Sequence, residues 1–301
     1  GLQDTENELY GASVKWNSTW GAWDVQSLTA LEGYNQRYGF DFDGTPAPFS
    51  VQSLNANLSY DRKFLQLSEE LHFERRFDWG RSLIGATGSA DTFEQVYLIW
   101  CGELDTSLKI GTCPYVGTAG RVGPTPASTG TPMSLLTLTN QDKVSLAVFS
   151  HNEIELTERL SLTLGARLTH ERIEGDGRGL HIFDDGTVGV NNRDGVGYAI
   201  GGNTVRDTRP SGNIALSYAF EKAGQLYASI SNGFKSGGFN GEVQNNSTHW
   251  TDAGLFDVET VTAYEIGYKS PIWDGLYWSV AGFYQDYDAP QARICVSFDL
   301  P

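Results

Sequence analysis

Apolar and polar residues alternate along this chain at a period of two, and this pattern restricts its fold more than any other feature. The alternation covers residues 64–74, 160–171, 262–269 and 277–287, and no stretch has the period of an amphipathic helix. In the clearest segment Leu160, Leu162 and Leu164 lie on one face, and Thr163 and Arg167 lie on the other. The chain is therefore predicted to be all-β.

Composition supports this prediction and excludes several classes of protein. Glycine (35 residues) and aromatic residues (12 %) are plentiful, as expected for turns and pleated sheets. A formal charge of −16 argues against a nucleic-acid partner, because no basic surface can displace phosphate counterions. The longest apolar run, residues 96–101, is far shorter than the ~20 residues of a membrane-spanning helix. The chain does not open with the pattern of a signal peptide, and Gly1 is expected to mark a mature or excised fragment.

The connections between predicted strands are of two kinds. Tight turns are predicted around Glu158, Lys222 and Asp274. Other connections are predicted to be long and polar, over residues 90–140, 173–208 and 232–257. Long structureless loops are uncommon in a compact soluble domain. Short turns at one end of the strands and long loops at the other are typical of an outer-membrane β-barrel.

The chemistry of the two strand faces agrees with a barrel. The polar faces suit a wet lumen, and the apolar faces end in aromatic residues, where interface girdles would lie. These aromatic residues are Phe73, Tyr218, Phe220, Tyr264, Tyr268 and Tyr284. In a soluble sandwich the apolar face is also segregated from the polar one, so alternation alone does not separate the two folds. The pattern favours an outer-membrane barrel and leaves a large extracellular β-sandwich or solenoid as the alternative.

The stretch LYASISNGFKSGGFN, residues 226–240, begins as an aromatic strand and ends in a glycine-rich polar segment. Together with the strand ETVTAYEIGYK and the later strand LYWSVAGFYQDY, it resembles the barrel of TonB-dependent outer-membrane receptors. The resemblance is best from residue 65 to residue 291 and includes the hairpin over residues 146–172. The residues that match the family motif are Gly233, Phe234, Lys235, Gly237, Gly238, Phe239, Asn240, Glu259, Glu265, Gly267 and Lys269.

The resemblance implies a transmembrane antiparallel β-barrel in the outer membrane of a Gram-negative bacterium. It implies ligand-gated import of a ferric siderophore or a similar scarce nutrient, energised by the TonB complex acting on a plug domain. The family's barrel has about twenty-two strands, whereas roughly a dozen are predicted here. Residues 1–301 are therefore expected to be a partial β-barrel domain without the plug and the closing strands, unable to transport alone.

The motif segment admits two interpretations. Side-by-side glycines weaken strand pairing, so Phe234 and Phe239 are expected to cap the outer interface or to turn toward the lumen. Lys235 would then reach lipid head groups or a plug carboxylate. The alternative is that the segment is only a turn. Glu265 and Arg167 are charged and fall on lumen-type positions, which makes them candidates for contacts with the plug. The alternative is that they pair with each other or meet water.

Two further groups of residues leave alternatives open. Cys101 and Cys113 suit a disulfide-closed loop, with free thiols as the alternative, and Cys295 has no evident partner. The acidic pairs at residues 41 and 43 and at residues 184 and 185 favour ordinary Asx turns over weak Ca²⁺ sites.

No enzyme motif or cofactor-binding motif is found, and import needs no bond to be made or broken. The histidines show no metal-ligand spacing, and His72, His151 and His170 are expected on lumen-type positions. Ligand contacts are expected from the aromatic and polar residues of the long loops, although these residues also commonly pack a loop onto itself. The candidates are Trp100, Tyr115, His249 and Trp250. An extracellular β-rich adhesin or carbohydrate-binding module is the alternative function, and the loops carry no motif that identifies a ligand.

Overall fold

A computed structural model describes residues 4–41, 56–101, 116–117, 121–122, 132–183, 188–190, 203–221, 224–239, 255–273 and 276–291. Every regular element in these ranges is a strand. No helix there has the length and apolar character needed to cross a membrane. The strands are β1 (Asp4–Trp20), β2 (Trp23–Asp41), β3 (Ala56–Phe77), β4 (Gly80–Cys101), β5 (Val116–Gly117), β6 (Arg121–Val122), β7 (Pro132–Glu155), β8 (Leu160–Phe183), β9 (Val188–Val190), β10 (Asn203–Phe220), β11 (Gly224–Lys235), β12 (Gly238–Phe239), β13 (Leu255–Phe256), β14 (Glu259–Trp273) and β15 (Leu276–Asp288).

One antiparallel sheet contains all the long strands. Its order is β1-β2-β3-β4-β7-β8-β10-β11-β14-β15, and the short β9 adds to β8. Each long strand therefore pairs with the long strand that follows it in the chain. Two small two-stranded sheets, β5-β6 and β12-β13, lie off this path. The prediction of an all-β chain built from consecutive antiparallel strands is confirmed.

The tight connections among the described residues lie at one end of the sheet. Residues 21–22 join β1 to β2, residues 78–79 join β3 to β4, and residues 156–159 form the predicted turn around Glu158. Gly80 starts β4 with a φ of 140°, and a Cβ atom there would overlap the carbonyl oxygen of Glu153. Only glycine fits this turn, because the backbones of β4 and β7 meet so closely.

At the opposite end the strands are longer than the sequence predicted. The loops predicted over residues 90–140 and 173–208 are wrong in their boundaries, since β4 continues to Cys101, β7 begins at Pro132 and β8 continues to Phe183. The upper part of β8, residues 174–178, is glycine and charged residues on both faces. Backbone pairing does not require apolar side chains, so the ladder continues where the alternation fades.

The two faces of the sheet differ sharply in chemistry. We call the face that carries Leu67, Leu146, Ile214 and Ile266 the outer face, and these side chains are 55, 56, 57 and 57 % exposed. None of the described elements packs over them. An apolar surface of this extent is unusual in a soluble monomer, where such residues lie against a second layer. The inner face carries mostly polar and charged side chains.

Aromatic rings border the outer face near the tight turns. In one group the ring centroids of Trp20 and Phe73 lie 6.1 Å apart, and those of Phe77 and Trp79 lie 4.8 Å apart. The second group, further along the sheet, contains three of the predicted residues together with Trp278, and its centroid separations run from 4.8 to 6.3 Å. Its members are Tyr218, Phe220, Tyr268 and Trp278.

After β11 the chain leaves the sheet and folds over the inner face. Residues 236–239, which we call the strap, end in β12, and β12 pairs with β13. Phe239 is only 8 % exposed, and its ring lies directly on the backbone of Gly175 in β8. Because β10 separates β8 from β11 in the sheet, the strap has to cross β10 on the inner side. Of the two orientations expected for Phe239, the structure has the inward one.

The strap should depend on the missing side chain at Gly175. A Cβ atom at this position would overlap the Phe239 ring, so we expect Gly175→Ala to displace the strap and to lower the free energy of unfolding by about 1–3 kcal/mol. Gly282→Ala is the matched control, because a Cβ atom there meets nothing within 4 Å. Chemical unfolding and limited proteolysis of the purified protein measure the effect. Equal behaviour of the two variants would show that the strap is not held by this contact.

Candidate functional site

The strap is fixed to the inner face by a small charged cluster. Lys143 Nζ lies 2.7 Å from Glu171 Oε1 and 3.4 Å from Ser236 Oγ, and Ser236 Oγ donates a hydrogen bond to Glu171 Oε2. We call these three residues the latch. The side chain of Glu171 is only 10 % exposed, so the pair is largely shielded from solvent. The latch joins β7, β8 and the start of the strap.

Gln291 ties the other side of the strap to the rim of the sheet. Its Nε2 donates to the carbonyl oxygens of Ser236 at 2.9 Å and of Asp257 at 2.8 Å. Its backbone N–H donates to Glu259 Oε2 at 2.6 Å. Glu259, a family-motif residue, therefore helps to hold the segment that follows β15 against the strap. The side chain of Lys235, in contrast, is exposed.

Three further motif residues meet lower on the inner face. Tyr227 donates a hydrogen bond to Glu265 Oε1 at 2.5 Å, and Lys269 Nζ lies 5.1 Å from the centroid of the Tyr227 ring. A Cβ atom on Gly267 would lie 2.6 Å from Tyr227 Cε1, so the ring lies flat on this glycine. Glu265, Gly267 and Lys269 thus surround one tyrosine. Sequence reasoning missed Tyr227, although its position between motif strands on the polar face was a usable signal.

Arg167 also lies on the inner face. Its Nη2 donates to Thr87 Oγ1 at 2.7 Å and its Nε to Thr169 Oγ1 at 3.1 Å. Thr87 belongs to β4, so the side chain reaches across β7. These two threonines are not among the partners predicted for Arg167, and its contact with the plug stays a prediction.

Two rows of aromatic rings cover the inner face of β2, β3 and β4 toward the long-loop end. The register places one ring from each strand directly side by side in each row. The centroids of Tyr34 and Phe64 lie 5.4 Å apart, and those of Tyr60 and Tyr97 lie 4.9 Å apart. We call these six residues the aromatic panel. Its lower row is Tyr34, Phe64 and Phe93, and its upper row is Tyr38, Tyr60 and Tyr97.

A single arginine lies between the two rows. The guanidinium carbon of Arg62 lies 4.1 Å from the Tyr60 ring centroid, within range of a cation–π contact. Its Nε donates to Gln95 Oε1 at 2.8 Å and its Nη1 to Gln36 Oε1 at 3.3 Å. Both glutamines are the direct cross-strand neighbours of Arg62. The guanidinium is therefore held in one orientation within the panel.

A cavity of about 460 Å³ lies against the lower row of the panel. Tyr34, Phe64, Leu9 and Glu32 line it. Sequence reasoning did not find this site, because it searched the loops for aromatic ligand contacts. The signal was the pair of aromatic residues four positions apart on β2 and again on β3, which places both on one strand face.

Several predicted site residues lie outside the described part of the chain. Trp100 is described only by its backbone, which pairs with Ser134. The predicted ligand contacts, the disulfide, the Asx turns and the last motif residue therefore stay predictions. Outside the described residues or side chains lie Tyr115, His249, Trp250, Cys101, Cys113, Cys295, Asp41, Asp43, Asp184, Asp185 and Asn240.

The described histidines do not form a metal site. Among the described residues no group of three or more His, Cys, Asp or Glu side chains is placed to hold a metal ion. His72 and His151 lie 3.3 and 3.5 Å from glutamate oxygens on the inner face. The prediction that His170 faces the lumen is wrong. His170 lies on the outer face, two residues after Leu168, and its Nδ1 lies 2.8 Å from Thr208 Oγ1.

Known structures share this fold at low sequence identity. The ferric yersiniabactin uptake receptor FyuA from Yersinia pestis superposes with a TM-score of 0.68 at 15 % identity, over 94 % of this chain and 36 % of that one. The siderophore receptor PiuA from Acinetobacter baumannii superposes with a TM-score of 0.62 at 15 % identity, over 93 % of this chain and 40 % of that one. The ferric-catecholate import receptor Fiu from E. coli K12 superposes with a TM-score of 0.57 at 13 % identity, over 94 % of this chain and 41 % of that one. The open sheet is thus the wall of a partial barrel, as predicted.

The chain spans between 36 and 41 % of the length of these three structures. No curated protein sequence matches it. A family model described as TonB dependent receptor-like, beta-barrel matches residues 1–297, nearly the whole sequence. With the fold, the inner-face motif contacts and this match in agreement, the chain belongs to the TonB-dependent receptor β-barrel family.

Proposed function

We propose that this chain forms part of the wall of an outer-membrane receptor that imports a ferric siderophore or a similar scarce nutrient in a Gram-negative bacterium. The observation that carries the proposal is the division of the sheet into an exposed apolar outer face and a polar inner face, in a chain of this family. Lipid would solvate the outer face, and water would fill the space beside the inner face.

The proposed receptor contains more than these 301 residues. The three siderophore and ferric-chelate receptors that share the fold are more than twice as long as the matched region. We assign residues 1–301 to a partial β-barrel domain, and the closing strands and the plug domain to the rest of the receptor. TonB would act through the plug, and import would consist of binding and gated passage without covalent chemistry.

Two inner-face groups are proposed to contact the plug. Glu265 and Arg167 are charged, lie on the inner face and already accept or donate hydrogen bonds within the wall. A plug segment with opposite charges would compete for these contacts. The strap would remain in the lumen throughout, because the latch holds it to two strands.

Import is tested in the native organism with the complete receptor gene. Deletion should abolish uptake of radioactive iron from at least one ferric chelate under iron limitation, and the complete gene should restore it. Restoration should fail in a strain without TonB. Unchanged uptake after deletion, for every ferric chelate that the organism uses, would contradict the proposed import of iron.

The membrane face is tested at two neighbouring positions of β11. Ile230 lies on the outer face and Ser229 on the inner face. A nitroxide label at Ile230→Cys in the complete receptor should collide with oxygen, which partitions into lipid. A nitroxide label at Ser229→Cys should collide instead with a water-soluble nickel complex. A label at Ile230→Cys that meets neither reagent would indicate a second protein layer, as in a β-sandwich adhesin.

The latch is tested with two glutamates of the same strand. Glu171→Ala leaves Lys143 without its shielded partner and should lower the free energy of unfolding by about 1–3 kcal/mol. Glu174→Ala removes an ion pair with Arg172 whose side chains are 48 and 49 % exposed, and it should change the stability by less than about 0.5 kcal/mol. Chemical unfolding compares the two variants. A larger loss in Glu174→Ala would contradict the assigned role of the latch.

A further inference from the structure

Arg75 is a cation on the outer face of β3, near the tight-turn end of the sheet. It shares its side of the strand with Phe73 and Phe77, and the turn at residues 78–79 follows directly after Phe77. One row further from the turn, Phe73 pairs with Ile84, whose side chain is 45 % exposed and belongs to the apolar surface. Arg75 therefore lies at the lower border of this apolar surface, where the head groups of a bilayer meet the wall of a barrel.

Two aromatic rings hold the guanidinium group of Arg75. Its Cζ lies 4.6 Å from the ring centroid of Phe77 and 5.8 Å from that of Trp23, and both distances are within the range of cation–π contacts. The two rings meet edge to face, with centroids 6.2 Å apart and planes at 81°. They form two sides of a cage, which keeps the cation at this border of the outer face.

Within the described part of the chain, Arg75 has no anionic partner. Its Nε is buried and donates to no acceptor there, and no described carboxylate forms an ion pair with the guanidinium group. Arg81, at the same end of the sheet but on the inner face, instead lies 2.6 Å from Glu153 and 3.4 Å from Glu74. A guanidinium group has five N–H donors, and an arginine next to lipid is expected to be paired. The missing acceptor for Arg75 is therefore expected from outside the chain.

Polar side chains continue the row of Arg75 across the outer face. Ser82 on β4 is the cross-strand neighbour of Arg75, and Asn152 on β7 is the neighbour of Ser82. Ser82 Oγ donates a hydrogen bond of 2.7 Å to Asn152 Oδ1, which leaves the two amide hydrogens of Asn152 available to another acceptor. A caged cation beside a hydroxyl and an amide suits a phosphate group with neighbouring ester oxygens, and it does not suit an acyl chain.

We propose that Arg75, Ser82 and Asn152 form a binding site for the phosphate head group of a phospholipid. The guanidinium group of Arg75 donates to the phosphate oxygens, and Ser82 and Asn152 contact the ester oxygens and hydroxyls beside them. The acyl chains extend along the apolar surface toward Ile84. Short turns of an outer-membrane barrel face the periplasm, so the lipid belongs to the periplasmic leaflet. This inference rests on the proposed membrane placement of the outer face and is independent of the nutrient that is imported.

The test measures lipid binding to the complete receptor in detergent by native mass spectrometry, with three probes. These are phosphatidylglycerol, a diacylglycerol with the same acyl chains but no phosphate, and glycerol 3-phosphate, which has no acyl chains. Arg75→Gln should weaken binding of the most tightly held phosphatidylglycerol roughly tenfold or more, as expected for loss of a charge-assisted contact, and should leave diacylglycerol binding unchanged. Arg76→Gln is the matched control, because Arg76 is the next residue, carries the same charge and lies exposed on the inner face. It should bind phosphatidylglycerol normally.

Folding is checked by thermal unfolding of each variant, because a misfolded wall would also lose lipid. Arg75→Lys keeps the charge inside the cage without the planar donors, and it should bind phosphatidylglycerol more weakly than wild type but about threefold or more tighter than Arg75→Gln. If Arg75→Gln does not fold, the comparison of Arg75→Lys with wild type decides, and equal binding would overturn the site.

Three other outcomes would also overturn the site. They are unchanged phosphatidylglycerol binding in a folded Arg75→Gln, equal losses in Arg75→Gln and Arg76→Gln, and binding of glycerol 3-phosphate as tight as that of phosphatidylglycerol. The second would indicate attraction to overall charge, and the third a site for soluble phosphates. Each of them leaves the membrane placement standing. That placement fails separately, when a label at Ile230→Cys meets neither oxygen nor the nickel complex.

Discussion

The backbone hydrogen-bond ladder between consecutive antiparallel strands is the constraint on which the rest of this structure depends. It satisfies the N–H and C=O groups of the eight long strands that lie between β1 and β15 without help from solvent, and β1 and β15 pair along one edge. The side chains are then free to divide between two environments. The outer face can then be apolar and exposed, as Leu146 and Ile214 are, because no polar backbone group has to face that side. A β-sandwich adhesin would need a second layer over these residues, and the described part of the chain offers none.

Two glycines position side chains on the inner face, because each lets an aromatic ring lie directly on the backbone. Gly175 admits the Phe239 ring, and Gly267 admits the Tyr227 ring, because neither glycine has a Cβ atom. The latch then fixes the strap to β7 and β8 through one shielded ion pair and a hydroxyl. Glycine thus serves in this wall as a place where a ring or a crossing segment rests on a strand.

Alternation at a period of two predicted the strands, the open all-β sheet and the tight-turn end, because one face of most strands is largely apolar there. It failed above the apolar band, where residues 174–178 are polar or glycine on both faces and only the backbone ladder marks the strand. The direction of the strap could not be predicted either. Phe234 and Phe239 were equivalent in the sequence, and the choice depends on Gly175, which is distant in the chain.

The aromatic panel depends on register, which the sequence does not give. Tyr34 and Phe64 are thirty positions apart, and they become neighbours only because β2 and β3 pair without a bulge between them. The same holds for Arg62 and Gln95 on β3 and β4. Each residue alone is an ordinary strand residue. Their chemistry as a group, a cluster of aromatic rings beside a fixed cation, exists only in the folded wall.

The central claim is that this sheet is one wall of a lipid-embedded barrel with its polar face inside. The most direct measurement is an electron cryomicroscopy structure of the complete receptor in lipid nanodiscs. The account predicts lipid density against Leu67, Leu146 and Ile266, with the strap and the aromatic panel inside the closed barrel. Protein density from a second sheet over those three side chains would contradict it.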